Sequence, residues 1–239
     1  ELVANIRSEL EASGYVPVDF EVEIDEEGKI APWRVVVGND ESVRFIGKVD
    51  RVDICTRDGR EYLRIIDYKS GKNKKELLLG NVYDGIDVQM LVYIIAVWLN
   101  GKKAYGENVH PAGVYYFPAN RPILDKEDKF DKKLSDATSM SGMTLEESPY
   151  DERTKPSFYT MSQLQLLKKH IERLFKDMHR NLSSGHIPKN PIETKYKECE
   201  YCPYVAICGV DTERVETKKV GKLKYSEVFE KLREEYADE

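Results

Sequence analysis

The chain has 239 residues, enough for one domain, or one domain with a small appendage, around a proper core. Its 41% hydrophobic and 33% charged content predicts a soluble globular protein, and no run of eighteen apolar residues exists to cross a membrane. A net charge of −6 argues against a strongly basic nucleic-acid binder but not against a nuclease, whose acidic metal site and outer faces lower the total.

Residues 1–12 carry apolar positions at helical spacing and stop at Ser13-Gly14, which predicts an opening helix. Residues 20–24 alternate as a strand, with a turn over 25–28, and 33–37 read as a second strand before a turn at Asn39-Asp40. The run from Phe45 to Gly71 then reads as two β-rich segments joined at Asp58-Gly59, a dipeptide favoured in two-residue hairpins. With that turn, cross-strand partners have residue numbers summing to 117, and Asp50 falls opposite Asp67. Strand period puts Val52, Ile54, Leu63 and Ile65 on the face of both aspartates, with Lys69 just beyond. Directly opposed side chains have Cβ atoms roughly 4.5–5.5 Å apart, so two facing carboxylates ask for a cation between them. Mg²⁺ held by one or two carboxylates, with water and phosphate oxygens completing the shell, meets that need. Such an ion polarises a phosphodiester and activates water, and a nearby lysine steadies the developing charge. An ordinary surface hairpin with solvated aspartates is the competing reading, since a single bulge breaks the register.

Lys72-Asn-Lys-Lys75 is a basic loop able to touch a phosphate backbone, or a plain solvated loop, and residues 75–80 suggest a short helical turn. Residues 87–100 predict a firm helix with Asp87 as N-cap and Asn100-Gly101 as its stop. Its apolar stripe is Val88, Leu91, Val92, Ile95, Ala96 and Leu99, while Gln89 and Tyr93, four apart, share one side. Residues 112–117 form an aromatic-rich strand ended by Pro118, and 119–157 read as a polar excursion with little core. A second long helix over 160–182 buries Leu164, Leu167, Ile171, Leu174, Phe175 and Met178. After a linker over 183–191 come Cys199, Cys202 and Cys208, three thiols spaced to converge on one metal centre. Cys55, the remaining cysteine, pairs with Tyr62 in the hairpin register and faces away from Asp50 and Asp67. The last helix, over 224–236, is expected to pack weakly or meet a partner.

Gly47-Lys-Val-Asp-Arg-Val-Asp53, Asp67-Tyr-Lys69, Gln89-x-x-x-Tyr93 and the cysteine trio stand in an order that resembles the RecB-family branch of the PD-(D/E)xK nucleases. The likeness is greatest to the carboxy-terminal nuclease domains of the B subunits of AddAB-type helicase–nucleases. Pro111-Ala-Gly-Val-Tyr-Tyr-Phe117 and Ser141-Gly-Met-Thr-Leu145 carry it across nearly the whole chain.

The resemblance implies an α/β restriction-endonuclease-like core, a mixed central sheet flanked by helices, with a cysteine-rich iron–sulfur segment at the carboxy terminus. The core would occupy residues 1–185, with 186–239 packed on the same domain. Asp50 and Asp67 match the family's metal-binding aspartates, Tyr68 offers a backbone carbonyl to the same Mg²⁺ or Mn²⁺, and Lys69 matches the catalytic lysine. Gln89 and Tyr93 match an element near the site and the DNA, and Cys199, Cys202 and Cys208 match three of four ligands to a 4Fe–4S cluster. The family's amino-terminal metal-binding histidine and first cluster cysteine are not found before Glu1, and His110, His170, His179 and His186 do not stand in that histidine's place. The chain, opening on Glu1 without a signal peptide, therefore reads as a piece of a longer protein, with an impaired metal site and an incomplete cluster. The implied activity is metal-dependent exonucleolytic hydrolysis of single-stranded DNA in double-strand-break processing. The implied partner is the A subunit of a cytoplasmic helicase–nuclease, with no membrane. The other readings are a cluster-stabilised DNA-gripping module with a vestigial site, a standalone CRISPR-associated four-cysteine exonuclease, and a zinc-binding scaffold.

Overall fold

The computed structural model describes residues 2–38, 40–71, 76–119, 139–154, 156–186, 188, 191–193, 199, 202–209, 218–221 and 223–237. The chain forms two compact units, one of residues 1–34, 44–77 and 89–165, the other of 35–43, 78–88 and 166–239. The basic loop over 72–75 lies outside the described residues.

In the first unit, α1 (Leu2–Ser13) leads into β1 (Val16–Ile24), which starts four residues earlier than the alternation at 20–24 predicts. A short hairpin of β2 (Trp33–Val36) and β3 (Ser42–Phe45) follows, then the long hairpin of β4 (Gly47–Arg57) and β5 (Arg60–Lys69). Asp58 and Gly59 both take positive φ, 52° and 74°, the conformation that lets a two-residue turn match the twist of its strands. Seven pairs, from Arg51↔Ile66 to Arg57↔Arg60, follow the expected register, and Cys55 pairs with Tyr62.

The sheet has six strands in the order β1-β4-β5-β6-β7-β8, with β6 at Val109–Pro118, β7 at Ser141–Leu145 and β8 at Ser157–Tyr159. It is mixed: β5 runs parallel to β6 and β7 parallel to β8, while the other neighbours are antiparallel. Of the expected polar excursion over 119–157, residues 120–138 lie outside the described residues. Its later part returns to the sheet, and Met140, Met143 and Leu145 are buried there. The Thr144 and Ser148 hydroxyls lie 2.9 Å apart and within 3.1 and 3.2 Å of the Ala112 carbonyl, so polar residues satisfied by one another and by backbone mimic a loop in composition.

Helices cover both faces. On one, Ile6 of α1 packs with Ile66, Tyr115, Phe117 and Met140. α3 (Gln89–Asn100) lies against β5 and β6. Every residue of α3 from Met90 to Val97 is buried, so it is a core helix wrapped all round rather than one with a single apolar stripe, and Leu99 near its end is exposed. Asp87 is not its N-cap. It sits two residues before the helix at φ 55°, accepting a bond from Asn81 Nδ2 at 3.1 Å. α4 (Lys102–Tyr105) follows directly.

The second unit holds α2 (Leu79–Tyr83), which begins four residues later than the helical turn expected from the sequence. With it are the greater part of α5 (Met161–Ser183), α6 (Val205–Cys208), α7 (Tyr225–Glu235) and a small parallel pair, β9 (Ile192–Glu193) with β10 (Lys218–Lys219). α7 does not pack weakly: Val228, Phe229 and Leu232 are fully buried and the helix lies against α2. Leu167 and Ile171 of α5 are buried as expected, whereas Met178 is exposed.

Candidate active site

The β4–β5 ladder ends at Arg51↔Ile66, one step short of the two aspartates. Beyond that point each strand keeps only its outer neighbour. Val49, Lys48 and Gly47 stay paired with Val22, Glu23 and Ile24 of β1, and Asp67, Tyr68 and Lys69 with Tyr116, Phe117 and Pro118 of β6. The strands part into a fork, and the facing aspartates expected from the hairpin stand at its opening. On the β1 side the chain is irregular at the same level, where Glu21 takes φ 52°. Asp50 bridges the fork, its Oδ2 accepting the Tyr68 backbone N–H at 2.7 Å. Lys69 Nζ lies 2.6 Å from Asp67 Oδ2 and 5.3 Å from the Tyr116 ring centroid. Asp67 is buried to 7% exposure, while the Lys69 side chain keeps 33%. A strongly shielded carboxylate with a partly exposed ammonium at its rim is an arrangement able to meet an anionic group at the surface.

The floor of the site is apolar on the face Asp67 shares, with Val52, Leu63 and Ile65 at 0–1% exposure. Gln89 and Tyr93 come together on α3, Gln89 Nε2 donating to Tyr93 Oη at 3.0 Å. The Tyr93 ring lies against Gly47, so closely that a Cβ there would fall 2.6 Å from its hydroxyl. That explains a glycine three residues before Asp50. The pair is therefore fixed on the strand that carries Asp50, and its described bonds are with each other rather than with the carboxylates. His110 pairs with Tyr62, six positions along β6 from the Tyr116 that pairs with Asp67, so it stands away from the fork.

Behind the fork, on the opposite face of the same two strands, lies a set of charges that the motif spacing did not single out. Arg51, Asp53, Arg64 and Glu9 are each at most 5% exposed. Arg64 makes a two-pronged contact with Glu9, at 2.7 and 2.8 Å, and reaches Asp53 Oδ2 through Nε at 3.0 Å. Arg51 holds the other side of Asp53, with Nη2 at 2.9 Å from Oδ2 and Nε at 2.8 Å from Oδ1. Burial works against the Arg64 charge, yet Glu9 and Asp53 together raise its pKa above the ordinary arginine value. Tyr115, beneath it, is pushed up to about 12, first by burial. Nothing along the two strands announced this set, because a charged residue on a strand face is ordinarily solvated.

Asp50 and Asp67 stand where β4 and β5 part, and carboxylate oxygens are hard donors of the kind that suit a hard divalent cation. In the second unit, Cys199, Cys202 and Cys208 are half-buried free thiols on one short stretch. The Cys202 N–H donates to the Cys199 carbonyl at 3.4 Å and the Cys208 N–H to the Tyr204 carbonyl at 2.9 Å, with α6 carrying the last of them. Three thiols on one stretch are one fewer than the cysteine set that usually holds an iron–sulfur cluster. Cys55 is buried in the sheet of the first unit, where burial raises its pKa and keeps it a thiol. Among the described residues, no group of three or more His, Cys, Asp or Glu side chains is set to hold a metal ion, and no helix is long and apolar enough to cross a membrane.

Residues 2–209 match the PD-(D/E)XK nuclease superfamily. Similar curated proteins carry the name of the B subunit of an ATP-dependent helicase/deoxyribonuclease. That of Thermoanaerobacter sp. (strain X514) is 29% identical over 236 residues, covering 87% of this chain and 20% of the relative. That of Caldanaerobacter subterraneus subsp. tengcongensis is 31% identical over 251 residues, covering 90% and 21%. That of Clostridium novyi (strain NT) is 30% identical over 256 residues, covering 95% and 22%. The chain thus spans about a fifth of the length of these relatives. With the forked strands carrying Asp50, Asp67 and Lys69 on a mixed sheet, and with the match running over most of its length, the chain belongs to the PD-(D/E)XK nuclease superfamily.

Proposed function

We propose that this chain is the nuclease domain of the B subunit of a helicase–nuclease, hydrolysing phosphodiesters in single-stranded DNA with the help of Mg²⁺ or Mn²⁺. The observation that carries the reading is the fork, where Asp50, Asp67, Tyr68 and Lys69 gather at the parting of β4 and β5. Asp50, Asp67 and the Tyr68 carbonyl would hold the ion, whose chemistry when bound is to polarise the phosphoryl group and acidify a water. The chain's own residues do the rest. Asp50 has one oxygen engaged by the Tyr68 N–H, which fixes the direction of the other. Lys69, resting against Asp67 and over Tyr116, is a half-exposed cation placed to meet charge that builds on the phosphate oxygens. Gln89 and Tyr93 form a rigid polar ledge on the Gly47 side, suited to holding the strand being cut.

In this reading the helicase activity of the A subunit delivers a single strand to the fork during double-strand-break processing in the cytoplasm, and the names of the relatives support the pairing with a helicase. Cys199, Cys202 and Cys208 would bind three corners of a 4Fe–4S cluster in the longer protein. The test of the activity is cleavage of end-labelled single-stranded DNA with Mg²⁺ or with chelator, beside an Asp67→Ala protein of unchanged circular dichroism. Metal-dependent cutting abolished by the substitution is expected. Cutting that survives in Asp67→Ala overturns the mechanism assigned to the fork, and a protein that cuts with neither metal even when joined to the segment that precedes it overturns the nuclease reading in favour of a DNA-gripping module.

A further inference from the structure

The geometry points to Arg51 as the positioning residue of the nuclease site, acting through the Tyr68 hydroxyl. This rests on the nuclease reading above. Tyr68 is gripped at both ends by consecutive residues of β4. Its backbone N–H goes to Asp50 and its hydroxyl accepts from Arg51 Nη1 at 2.8 Å. The two bonds lie on opposite faces of the sheet, because Asp50 belongs with the fork and Arg51 with the buried charges behind it. Between them they tie the stretch from Asp67 to Lys69, which β6 holds on its other side, to β4, and this stretch carries the second carboxylate, the carbonyl and the lysine. They do so just where the strand ladder has ended and backbone pairing between β4 and β5 no longer fixes the register.

Arg51 is itself part of a buried ion-pair frame. Its Nη2 donates to Asp53 at 2.9 Å and its Nε lies 2.8 Å from the same carboxylate, Arg64 braces Asp53, and Glu9 of α1 braces Arg64 and lies 4.0 Å from Arg51 Nη2. The Arg51 side chain is 1% exposed and its guanidinium lies 5.6 Å from the Tyr68 ring centroid, and that ring also meets Phe117 edge-on at 5.6 Å. Two positive and two negative groups close into a neutral, dry frame, and what it offers outward is the donor to Tyr68. Buried ion groups of this kind are poor sources of stability, since apolar residues of equal volume serve as well or better. What they do supply is one fixed geometry, and here it is delivered to the residue between Asp67 and Lys69.

The experiment is direct Mn²⁺ binding by the full chain, read by electron paramagnetic resonance, on wild type, Tyr68→Phe, Arg51→Lys, their double variant and Asp67→Ala, with melting temperature measured alongside. Tyr68→Phe keeps the ring and its packing and removes only the acceptor, so it serves even if Arg51→Lys fails to fold. By analogy with other outer-sphere partners of metal ligands, Tyr68→Phe is expected to weaken Mn²⁺ about tenfold or more in a protein that stays folded, with a melting temperature lowered by the unpaired Arg51 donor. The double variant should bind no more weakly than Arg51→Lys alone, because both break one contact. Tyr68→Phe binding Mn²⁺ as tightly as wild type, while Asp67→Ala loses it, overturns the inference and leaves the nuclease reading intact. Wild type that neither binds Mn²⁺ nor cuts DNA, even when joined to the segment that precedes it, overturns the nuclease reading, and this inference falls with it.

Discussion

Gly47 and Tyr93 show how single atoms constrain the site. The Tyr93 hydroxyl and Cε1 occupy the space that a Cβ at position 47 would fill, at 2.6 and 2.7 Å, so the ring can lie against β4 only where a side chain is missing. Tyr93 is 9% exposed and bonded to Gln89, so it has little room to retreat. Gly47→Ala is therefore expected to destabilise the protein by about 1–3 kcal/mol through overpacking. It should also lower DNA cleavage more than the stability loss explains, because the Gln89–Tyr93 ledge moves. Chemical denaturation paired with cleavage rates checks both, and an Ala variant that melts and cuts like wild type refutes the close contact. At this scale spacing set Asp50 opposite Asp67 and Gln89 beside Tyr93, while family resemblance supplied the roles expected of them and of Lys69. Neither singled out Glu9 or Arg64, because an ion pair 55 residues apart leaves no local trace.

Among the elements, the β4–β5 hairpin is the one most completely determined by local chemistry. Asp58 and Gly59 take the left-handed conformation together, and the register of seven pairs follows from that two-residue turn. Gly59→Val places a β-branched residue at φ 74°, which is expected to cost about 1–3 kcal/mol, measurable as a lowered denaturation midpoint. In the second unit, α2, α5 and α7 are joined by His170. Its Nε2 lies 2.9 Å from the Tyr83 carbonyl and its Nδ1 3.2 Å from the Tyr236 hydroxyl, with the ring stacked on Tyr83. A nitrogen facing a carbonyl must carry the proton, which leaves Nδ1 to accept from Tyr236 and the ring neutral.

Burial lowers the His170 pKa, outweighing the Tyr83 carbonyl and the Glu235 and Asp84 charges, with Arg173 acting in the same direction as burial. The unfolded chain then binds the proton first, so this contribution to stability is whole above the ordinary histidine value of about 6.5 and is lost as pH falls below it toward the depressed folded pKa. The melting temperature should drop between about pH 7.5 and about pH 5.5, and His170→Gln should flatten that part of the slope. An unchanged slope in the variant refutes the assignment.

On the scale of the whole molecule, the chain carries a net charge of −6 and spans about a fifth of relatives named as helicase/deoxyribonuclease subunits. A domain that is acidic overall gains little from long-range attraction to DNA, which fits a site that is handed its strand by a partner. Cys199, Cys202 and Cys208 belong to this scale as well, because the proposed cluster would need a fourth ligand from beyond their short stretch. The full-length protein purified without oxygen should show the broad visible absorption of an iron–sulfur cluster, and Cys202→Ser should remove it. A colourless full-length protein that carries stoichiometric zinc refutes the cluster.

Neighbours within a turn or a strand pair are enough to set the hairpin, its register, the order of the site motifs and the two long helices, and all of these were legible along the chain. The parting of β4 and β5 just before the aspartates was not, because β1 on one side and β6 on the other impose it. Nor could the burial of 140–145, or of α3 on every side, be foreseen, since what lies opposite an element cannot be read from its own periodicity. The frame of Glu9, Arg51, Asp53 and Arg64 is of the same kind: each charge is ordinary in the sequence, and the four become a device only when α1 is laid across the hairpin.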